Sequence, residues 1–252
     1  MIVQGVTLVG TTVVDQNYVT SGLVYYADVG NTSSYSGSGT SVNNISGTAP
    51  GAMALANGPT FTSAGASSYF TFNGSTQTVY TPTMLSLFNS PVNNSVTLEA
   101  WVRTSSDNGV VVSEQGQSPI NAGWHDSQIE IVSGTLKVAV WTTSGGYSTV
   151  VTPGVVTRNQ WQQYVLTFDS ATSTLRGYIN GSTTASASGI TRASPQSTGQ
   201  TVLYYDLMYV DGTNLGDGSS LAGDWSIFRV YNRALTAAEV LINYNGSVGR
   251  YS

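Results

Sequence analysis

Short segments in which apolar and polar residues alternate, separated by turn-forming residues, recur along most of this chain. In residues 96–104, VTLEAWVRT, Leu98 and Val102 alternate with Glu99 and Arg103. A side-chain period of two is typical of a strand with one face buried and the other exposed, and such strands usually pair antiparallel. Similar strand segments are predicted at 129–132, 136–141, 147–153, 161–169, 173–179, 202–210 and 224–231.

Turn signals between these segments join neighbouring strands into hairpins. Ser133-Gly134 separates two of the segments, and Asn180-Gly181 follows another. An Asn-Gly pair is a strong hairpin signal because both residues tolerate the positive φ of a type I′ turn. The pattern predicts an all-β chain, a single antiparallel two-sheet jelly-roll sandwich, over residues 21–252.

One short helix is predicted after the last strand. Thr236 and Glu239 have the spacing of a capping box, and the helical pattern runs to about Tyr244, where Asn245-Gly246 supplies a stop. A helix of roughly two turns is unstable alone, so it must pack on a folded surface. The side chains expected to cover that surface are Leu235, Val240, Leu241 and Tyr244.

Residues 1–20 form a separate N-terminal arm or extra strand, rich in β-branched residues such as Val13 and Val14. A lone strand is unstable in water, and its open edge favours pairing. The arm could add to its own sandwich, or exchange with another subunit or a neighbouring protein, which would favour a homo-oligomer.

The charge pattern excludes several kinds of partner. Charged residues make up 8% of the chain, none lies within residues 29–98, and the net charge is −5. The eight basic residues are scattered, whereas nucleic-acid binding needs a clustered basic face. Polar residues interrupt every apolar run too often for a membrane span, and the first residues lack the features of a signal peptide. We therefore expect neither a nucleic-acid nor a membrane partner.

Several motifs resemble the concanavalin A-like, laminin G-like jelly-roll family. In the central segment NQWQQYVLTFDSATSTLRGYINGS, the matching positions are Trp161, Tyr164, Phe168, Asp169, Tyr178, Asn180 and Gly181. Glu99 and Trp101 match an earlier family strand, and YNRALTAAEV resembles the family's closing strand and helix. Residues 21–47 are similar to the leading segment of such domains in structural proteins of tailed bacteriophages, although Val42 and Asn44 stand where a tryptophan and an aspartate are common.

The resemblance implies the jelly-roll fold with the terminal helix near the edge of the sandwich. It restricts function less, because this fold occurs in lectins, hydrolases and structural modules. The phage-like segment favours a non-enzymatic virion structural protein, a capsid decoration or appendage subunit with other virion proteins as partners. The alternative is a carbohydrate-binding lectin domain, cellular or viral, which would place the protein outside the cell.

A candidate glycan site lies at Trp124, His125 and Asp126. A pyranose stacks its C–H face on an aromatic ring and donates its hydroxyls to oxygen acceptors. Of the five tryptophans, Trp124 is expected to be the most exposed, because alternation places most of the others in the core.

A candidate calcium site lies at Asp211, Asn214 and Asp217 in the glycine-rich segment DGTNLGDGSS. Oxygen ligands suit calcium, and laminin G-like relatives often bind it, but Asn and Asp also stabilise tight turns. No other cofactor is expected.

Glycoside hydrolysis is the weakest of the three functional hypotheses. Glycosidases need two carboxylates about 5–9.5 Å apart, close to the separation of residues i and i+2 on a strand. No Asp/Glu pair has that spacing in this sequence, so we expect no enzymatic activity.

Overall fold

The computed structural model describes residues 2–4, 17–87, 94–116, 125–142, 149–193, 202–209 and 219–251. The strands are β1 Ile2–Gln4, β2 Asn17–Val19, β3 Leu23–Asp28, β4 Ser41–Val42, β5 Met53–Ala56, β6 Thr60–Thr62, β7 Tyr69–Asn73, β8 Thr78–Tyr80, β9 Val96–Arg103, β10 Gly109–Gln115, β11 His125–Val132, β12 Thr135–Val140, β13 Thr149–Val155, β14 Gln162–Asp169, β15 Thr174–Ile179, β16 Ser182–Ser188, β17 Tyr204–Leu207 and β18 Ala222–Tyr231. Helix α1 spans Ala237–Ser247, and 3-10 turns occupy Leu85–Leu87 and Val248–Arg250. Within the described ranges, no helix is both long and apolar enough to cross a membrane.

The strands form two large antiparallel sheets. Sheet I has the order β13-β12-β11-β10-β17-β8-β5-β4, and sheet II has the order β16-β15-β14-β9-β18-β7-β6. Strand β3 also joins sheet II, because the second half of β18 continues past β7 and pairs with β3. The predicted two-sheet sandwich with one C-terminal helix is confirmed. Strands β1 and β2 pair with each other in a separate two-stranded sheet.

The main core lies between the two sheets and follows the predicted alternation. Leu98 and Val102 of β9 point into it, as do Ile129 and Ile131 of β11 in sheet I. Burying each such side chain contributes roughly 1.5–3 kcal/mol. Because every second residue of a strand faces this core, the others remain available for the two outer faces.

Both predicted hairpin turns are confirmed by their backbone angles. The φ angles are 49° at Ser133 and 72° at Gly134, and 52° at Asn180 and 75° at Gly181. Gly181 also meets a space requirement, because an added Cβ would lie 2.9 Å from Cδ1 of Leu241 in α1. A side chain there would push the helix away from the hairpin.

Helix α1 lies across the outer face of sheet II rather than at the edge of the sandwich. Leu235 and Val240 are buried in a second hydrophobic cluster on that face, which also contains Trp101 and Tyr231. The expectation for Leu241 was wrong, since 44% of this residue is exposed. It lies on the solvent side of the helix, with its tip over the turn at Gly181.

The predicted end of the helix was also wrong. α1 continues past Asn245-Gly246 to Ser247. Gly246 serves close packing instead, because an added Cβ would lie 1.9 Å from the carbonyl oxygen of Asn17 in β2. The predicted capping box is present: Oγ1 of Thr236 accepts from the N–H of Glu239, and the Glu239 carboxylate accepts from the N–H of Thr236.

Candidate functional site

An aromatic ladder, formed by Tyr244, Trp101, Tyr251, Trp161 and Tyr69, runs across the outer face of sheet II. Tyr244 and Tyr251 stack on Trp101 with ring centroids 5.7 and 4.8 Å away, and Tyr251 stacks on Trp161 at 4.7 Å. Tyr69 meets Trp161 edge-on at 5.7 Å. The ladder begins under the helix, where Trp101 is fully buried, and ends at the half-buried rings of Trp161 and Tyr69.

Arg103 of β9 lies at the open end of this ladder. Its guanidinium carbon is 4.9 Å from the ring centroid of Tyr69 and 5.2 Å from that of Trp161. Contacts of this kind are attractive because the ring faces carry negative charge density. The two rings therefore hold the guanidinium in one position at the surface.

Asp224 of β18 pairs with Arg103 from the adjacent strand. Nε and Nη2 of Arg103 lie 2.8 and 2.7 Å from Oδ2 of Asp224, while Thr71 donates to Oδ1 at 2.6 Å. Partial burial lowers the pKa of Arg103, but the bonds to Asp224 and Tyr69 outweigh it and the pKa lies above its ordinary value. The side chains remain 33% and 14% exposed, so both can also contact a ligand.

A β-bulge in β18 places Asp224 on the outer face. The pairing register with β9 shifts between Trp225 and Ile227. Because of this extra residue, Trp225 points into the main core while Ile227 joins the cluster under the helix. Asp224 precedes the bulge and faces outward beside Arg103, beyond the part of the sheet that α1 covers.

The Arg103–Asp224 pair borders an open cleft of about 270 Å³. Its polar lining consists of Thr71, Arg103, Thr104, Ser105, Asn159 and Asp224. Gly223 allows the strands to approach closely at its base, because an added Cβ would lie 2.7 Å from the carbonyl oxygen of Arg103. The cleft offers guanidinium and amide donors and carboxylate and hydroxyl acceptors, and the rings of Tyr69 and Trp161 lie behind the guanidinium of Arg103.

A second group of charged residues is enclosed between the sheets. Glu114 of β10 lies directly opposite Asp126 of β11. Glu114 forms an ion pair with Arg192 and accepts from Tyr205 at 3.2 Å, and Gln128 donates to Asp126 at 2.7 Å. Burial raises the pKa of Glu114, and the charge of Arg192 opposes that shift. All five residues are buried, so this carboxylate pair does not line an open cleft.

The predicted glycan residues lie only partly within the described chain. Trp124 is outside the described residues, and His125 begins β11 opposite Gln115. Asp126 is 2% exposed and belongs to the enclosed charged group. The glycan-site prediction at these three positions stays a prediction.

The calcium candidates Asp211, Asn214 and Asp217 lie outside the described residues. The described residues that flank this segment form backbone hydrogen bonds with the start of β10. Met208 donates its N–H to the carbonyl of Val111, and the carbonyl of Ser219 accepts from the N–H of Val110. His125 lies opposite Gln115 at the other end of β10, so the two predicted sites adjoin different ends of that strand.

Sequence reasoning did not identify the Arg103–Asp224 cleft. Alternation marked Arg103 as outward-facing and assigned most tryptophans to the core. Trp101 and Trp225 are indeed buried, but Trp161 is partly exposed beside Arg103. The missing information was the pairing of β9 with β18, which joins residues 121 positions apart.

The two-sheet antiparallel sandwich with one C-terminal helix is the fold of the lectin and glucanase class. The chain belongs to the Concanavalin A-like lectin/glucanases superfamily, whose model matches residues 73–241. The predicted family is thereby confirmed. No curated protein matches the chain.

Solved structures with the same fold include receptor-binding domains of toxins and a sialidase. The receptor-binding domain of botulinum neurotoxin D matches with a TM-score of 0.63 and 12% identity, over 91% of this chain and 54% of that one. The corresponding domain of botulinum neurotoxin type G matches with a TM-score of 0.59 and 16% identity, over 89% and 51%. The sialidase of Trypanosoma rangeli matches with a TM-score of 0.59 and 14% identity, over 88% and 33%. The chain thus spans about half of each toxin domain and a third of the sialidase, and at these identities the matches establish the fold alone.

Proposed function

We propose that this chain is a non-enzymatic carbohydrate-binding domain and that its glycan site is the cleft beside Arg103 and Asp224. The observation that carries the proposal is the open Arg103–Asp224 pair, held between the rings of Tyr69 and Trp161. Membership in a superfamily that includes lectins supports it, as does the similarity in fold to the receptor-binding domains of botulinum neurotoxins.

The chemistry of the cleft suits a neutral sugar. A pyranose presents an apolar C–H face, which packs on aromatic rings, and hydroxyl groups that both donate and accept hydrogen bonds. Oδ2 of Asp224 already accepts twice from Arg103 and Oδ1 accepts from Thr71, so Asp224 can accept from one sugar hydroxyl at Oδ1, while Arg103 and Asn159 donate to others. Because Asp224 already balances the charge of Arg103, the cleft favours a neutral ligand over a phosphate or sulfate.

The arrangement of carboxylates supports binding rather than hydrolysis. A glycosidase needs two carboxylates facing one sugar. Among the described residues lining the cleft, Asp224 is the only carboxylate. Glu114 and Asp126 are neighbours but face the interior, where Arg192 and Gln128 bond them. We therefore keep the proposal non-enzymatic.

A glycan array with the wild-type protein and matched variants tests this proposal. We expect Arg103→Ala and Asp224→Asn to lose most of the binding signal, while Arg176→Ala, on β15 of the same sheet and outside the cleft lining, keeps it. Binding that is equally strong in Asp224→Asn and Trp161→Ala would move the site elsewhere. Absence of binding to any glycan would leave a structural module as the function.

A virion structural protein of a tailed bacteriophage, acting as a capsid decoration or appendage subunit, remains the second candidate. It is supported by the similarity of residues 21–47 and by the 8% content of charged residues. In this segment Asn44 accepts from the N–H of Tyr26 at 3.0 Å and donates to the carbonyl of Thr48 at 3.0 Å, so it holds β3 in place. Mass spectrometry of purified virus particles tests whether the protein is a virion subunit. A virion subunit that binds a glycan would agree with both proposals.

A further inference from the structure

Arg250, in the 3-10 turn that follows α1, is held through both its side chain and its backbone. Nη1 and Nη2 donate to Oδ2 and Oδ1 of Asp28 at 2.8 and 2.6 Å, and Nε donates to the carbonyl of Ala66 at 2.8 Å. The carbonyl of Arg250 accepts from the hydroxyl of Ser67. The side chains of Arg250 and Asp28 are at most 1% exposed. A two-pronged guanidinium–carboxylate pair fixes orientation as well as distance, so the chain has one defined position at Arg250.

The carboxylate that receives Arg250 is itself fixed. Oδ1 of Asp28 accepts from the N–H of Gly30 at 2.9 Å, and Oδ2 accepts from the hydroxyl of Tyr26 at 3.0 Å. A side chain at Gly30 would overlap Nη2 of Arg250 and the carbonyl of Ala66, so the glycine leaves room for the guanidinium. Burial disfavours the charge of Arg250, but the charge of Asp28 outweighs burial and the pKa of Arg250 lies above its ordinary value. Arg250 therefore stays charged and bound to Asp28.

Tyr251 comes directly after Arg250 and connects the two tryptophans of the aromatic ladder. Its ring stacks on Trp101 at 4.8 Å and on Trp161 at 4.7 Å, with interplanar angles of 29° and 28°. Trp101 is fully buried in β9. Trp161 precedes the first residue of β14, so strand pairing does not fix its ring. In the described chain, the rings that contact Trp161 are those of Tyr251 and Tyr69.

The cleft is one contact further along the ladder. The guanidinium carbon of Arg103 lies 5.2 Å from the ring centroid of Trp161. Among the described residues that line the cleft, neither Arg250 nor Tyr251 occurs, so neither would touch a glycan bound there. Any influence of these two residues on the cleft must therefore pass through the ring of Trp161.

We propose that Arg250 and Tyr251 are positioning residues for the glycan cleft, an inference that rests on the proposed function. The pair with Asp28 fixes the place of Tyr251. Tyr251 then holds the ring of Trp161, and that ring holds the guanidinium of Arg103. A side chain that is ordered before binding loses less conformational entropy when the ligand arrives, so this order raises affinity.

The glycan array tests the binding part of the proposal with variants of the full chain. Tyr251→Ala should require about three- to tenfold more protein for a half-maximal signal, the range expected for loss of one aromatic stacking contact. Tyr251→Phe keeps the ring and should stay within about twofold of the wild type. Arg250→Lys keeps the charge without the two-pronged bond and should fall between these variants. An unchanged signal in Tyr251→Ala would overturn the proposal, and so would failure of Tyr251→Phe to restore binding.

Tyr244→Ala is the matched control, because Tyr244 stacks on Trp101 at the opposite end of the ladder, with ring centroids 5.7 Å apart. It should lower the melting temperature and leave the array signal unchanged. Equal losses of signal in Tyr244→Ala and Tyr251→Ala would assign the effect to general loss of stability and would overturn the proposal.

A measurement without ligand separates this inference from the proposed function. Phenylglyoxal modifies accessible guanidinium groups, and mass spectrometry of the digested protein follows Arg103 and Arg176 separately. Arg176, half-buried on β15 and outside the cleft lining, is the internal reference. We expect Arg103 to react several-fold faster in Tyr251→Ala than in the wild type, with Arg176 unchanged and Tyr251→Phe like the wild type.

An unchanged rate at Arg103 in Tyr251→Ala would overturn the positioning role whether or not a glycan binds. A faster rate at Arg103 together with no array signal from the wild type would support the positioning role and contradict the glycan assignment alone. If Tyr251→Ala does not fold, Tyr251→Leu replaces it in both measurements, with the same expected and overturning results, because leucine keeps an apolar side chain without a ring.

Discussion

Asn243 of α1 donates a hydrogen bond from its amide to Glu99 of β9 across a distance of 2.7 Å. Both residues are buried, and Glu99 also accepts from Arg229 at 2.6 Å and from Gln163 at 2.9 Å. The oxygen of the same Asn243 amide accepts from the N–H of Val19 at 2.8 Å. One side chain thus connects the helix, the N-terminal strand β2 and the centre of sheet II.

Replacing Asn243 by Ala should destabilise the fold by about 2–4 kcal/mol, because it leaves Glu99 and the N–H of Val19 with lost partners in a buried site. Urea unfolding measures the change. Leu241→Ala is the control on the same helix, and its effect should be well under half as large because 44% of Leu241 is exposed. Equal losses in the two variants would contradict a bridging role for Asn243.

Thr236→Ala should cost about 1 kcal/mol through loss of the helix cap. Oγ1 of Thr236 accepts from the N–H of Glu239, and the alanine side chain has no oxygen to take its place. A lowered urea midpoint with an unchanged slope is the expected result. Thr236→Ser keeps the hydroxyl and should restore most of the stability; failure of Ser to do so would assign the loss to packing of the methyl group.

The Glu239–Arg233 pair should make stability fall in acid. The hydrogen bond from Arg233 lowers the pKa of Glu239 to about 2 from its ordinary value of 4.5, while partial burial opposes the shift. The unfolded chain therefore binds more protons between these two values, so the contribution is present above about pH 4.5 and is lost as pH falls towards 2. Glu239→Gln should show a flatter dependence of melting temperature on pH in this window, and an unchanged slope would argue against the pair.

Binding at the proposed cleft should depend little on salt. Asp224 balances the charge of Arg103, and a neutral glycan carries no charge of its own. Screening by salt should therefore weaken the attraction between cleft and ligand very little. Titration calorimetry at low and high NaCl should give similar affinities. A steep loss of affinity with salt would indicate an anionic ligand and would contradict the neutral-sugar assignment.

Two N-terminal deletions separate assembly from stability. Removal of residues 1–19 should destabilise the domain, because Val19 is buried and its carbonyl accepts from Tyr231 at 3.0 Å. Removal of residues 1–16 keeps these contacts. If the arm exchanges with another subunit, the shorter deletion should lower the oligomeric mass in light scattering without lowering the melting temperature. An unchanged mass would rule the arm out as an assembly element.

The sequence by itself determined the all-β class, eight of the eighteen described strands, the two hairpins and the start of the helix. These features depend on neighbours a few residues apart: the alternation of Leu98 and Val102 with Glu99 and Arg103, the positive φ tolerated by Asn180-Gly181, and the Thr236–Glu239 spacing. These local preferences can be predicted from the sequence because the residues that interact are close neighbours along the chain.

Only the tertiary structure decided where the helix lies and where the cleft forms. The Asn245-Gly246 pair predicts a helix end, but the helix continues through both residues to Ser247. Gly246 packs there against the backbone of Asn17. Arg103 meets Asp224 only through strand pairing between distant segments. The register of those strands, including the bulge after Trp225, determines which side chains share a face of the sheet. The register depends on distant segments and therefore cannot be predicted from a local sequence pattern.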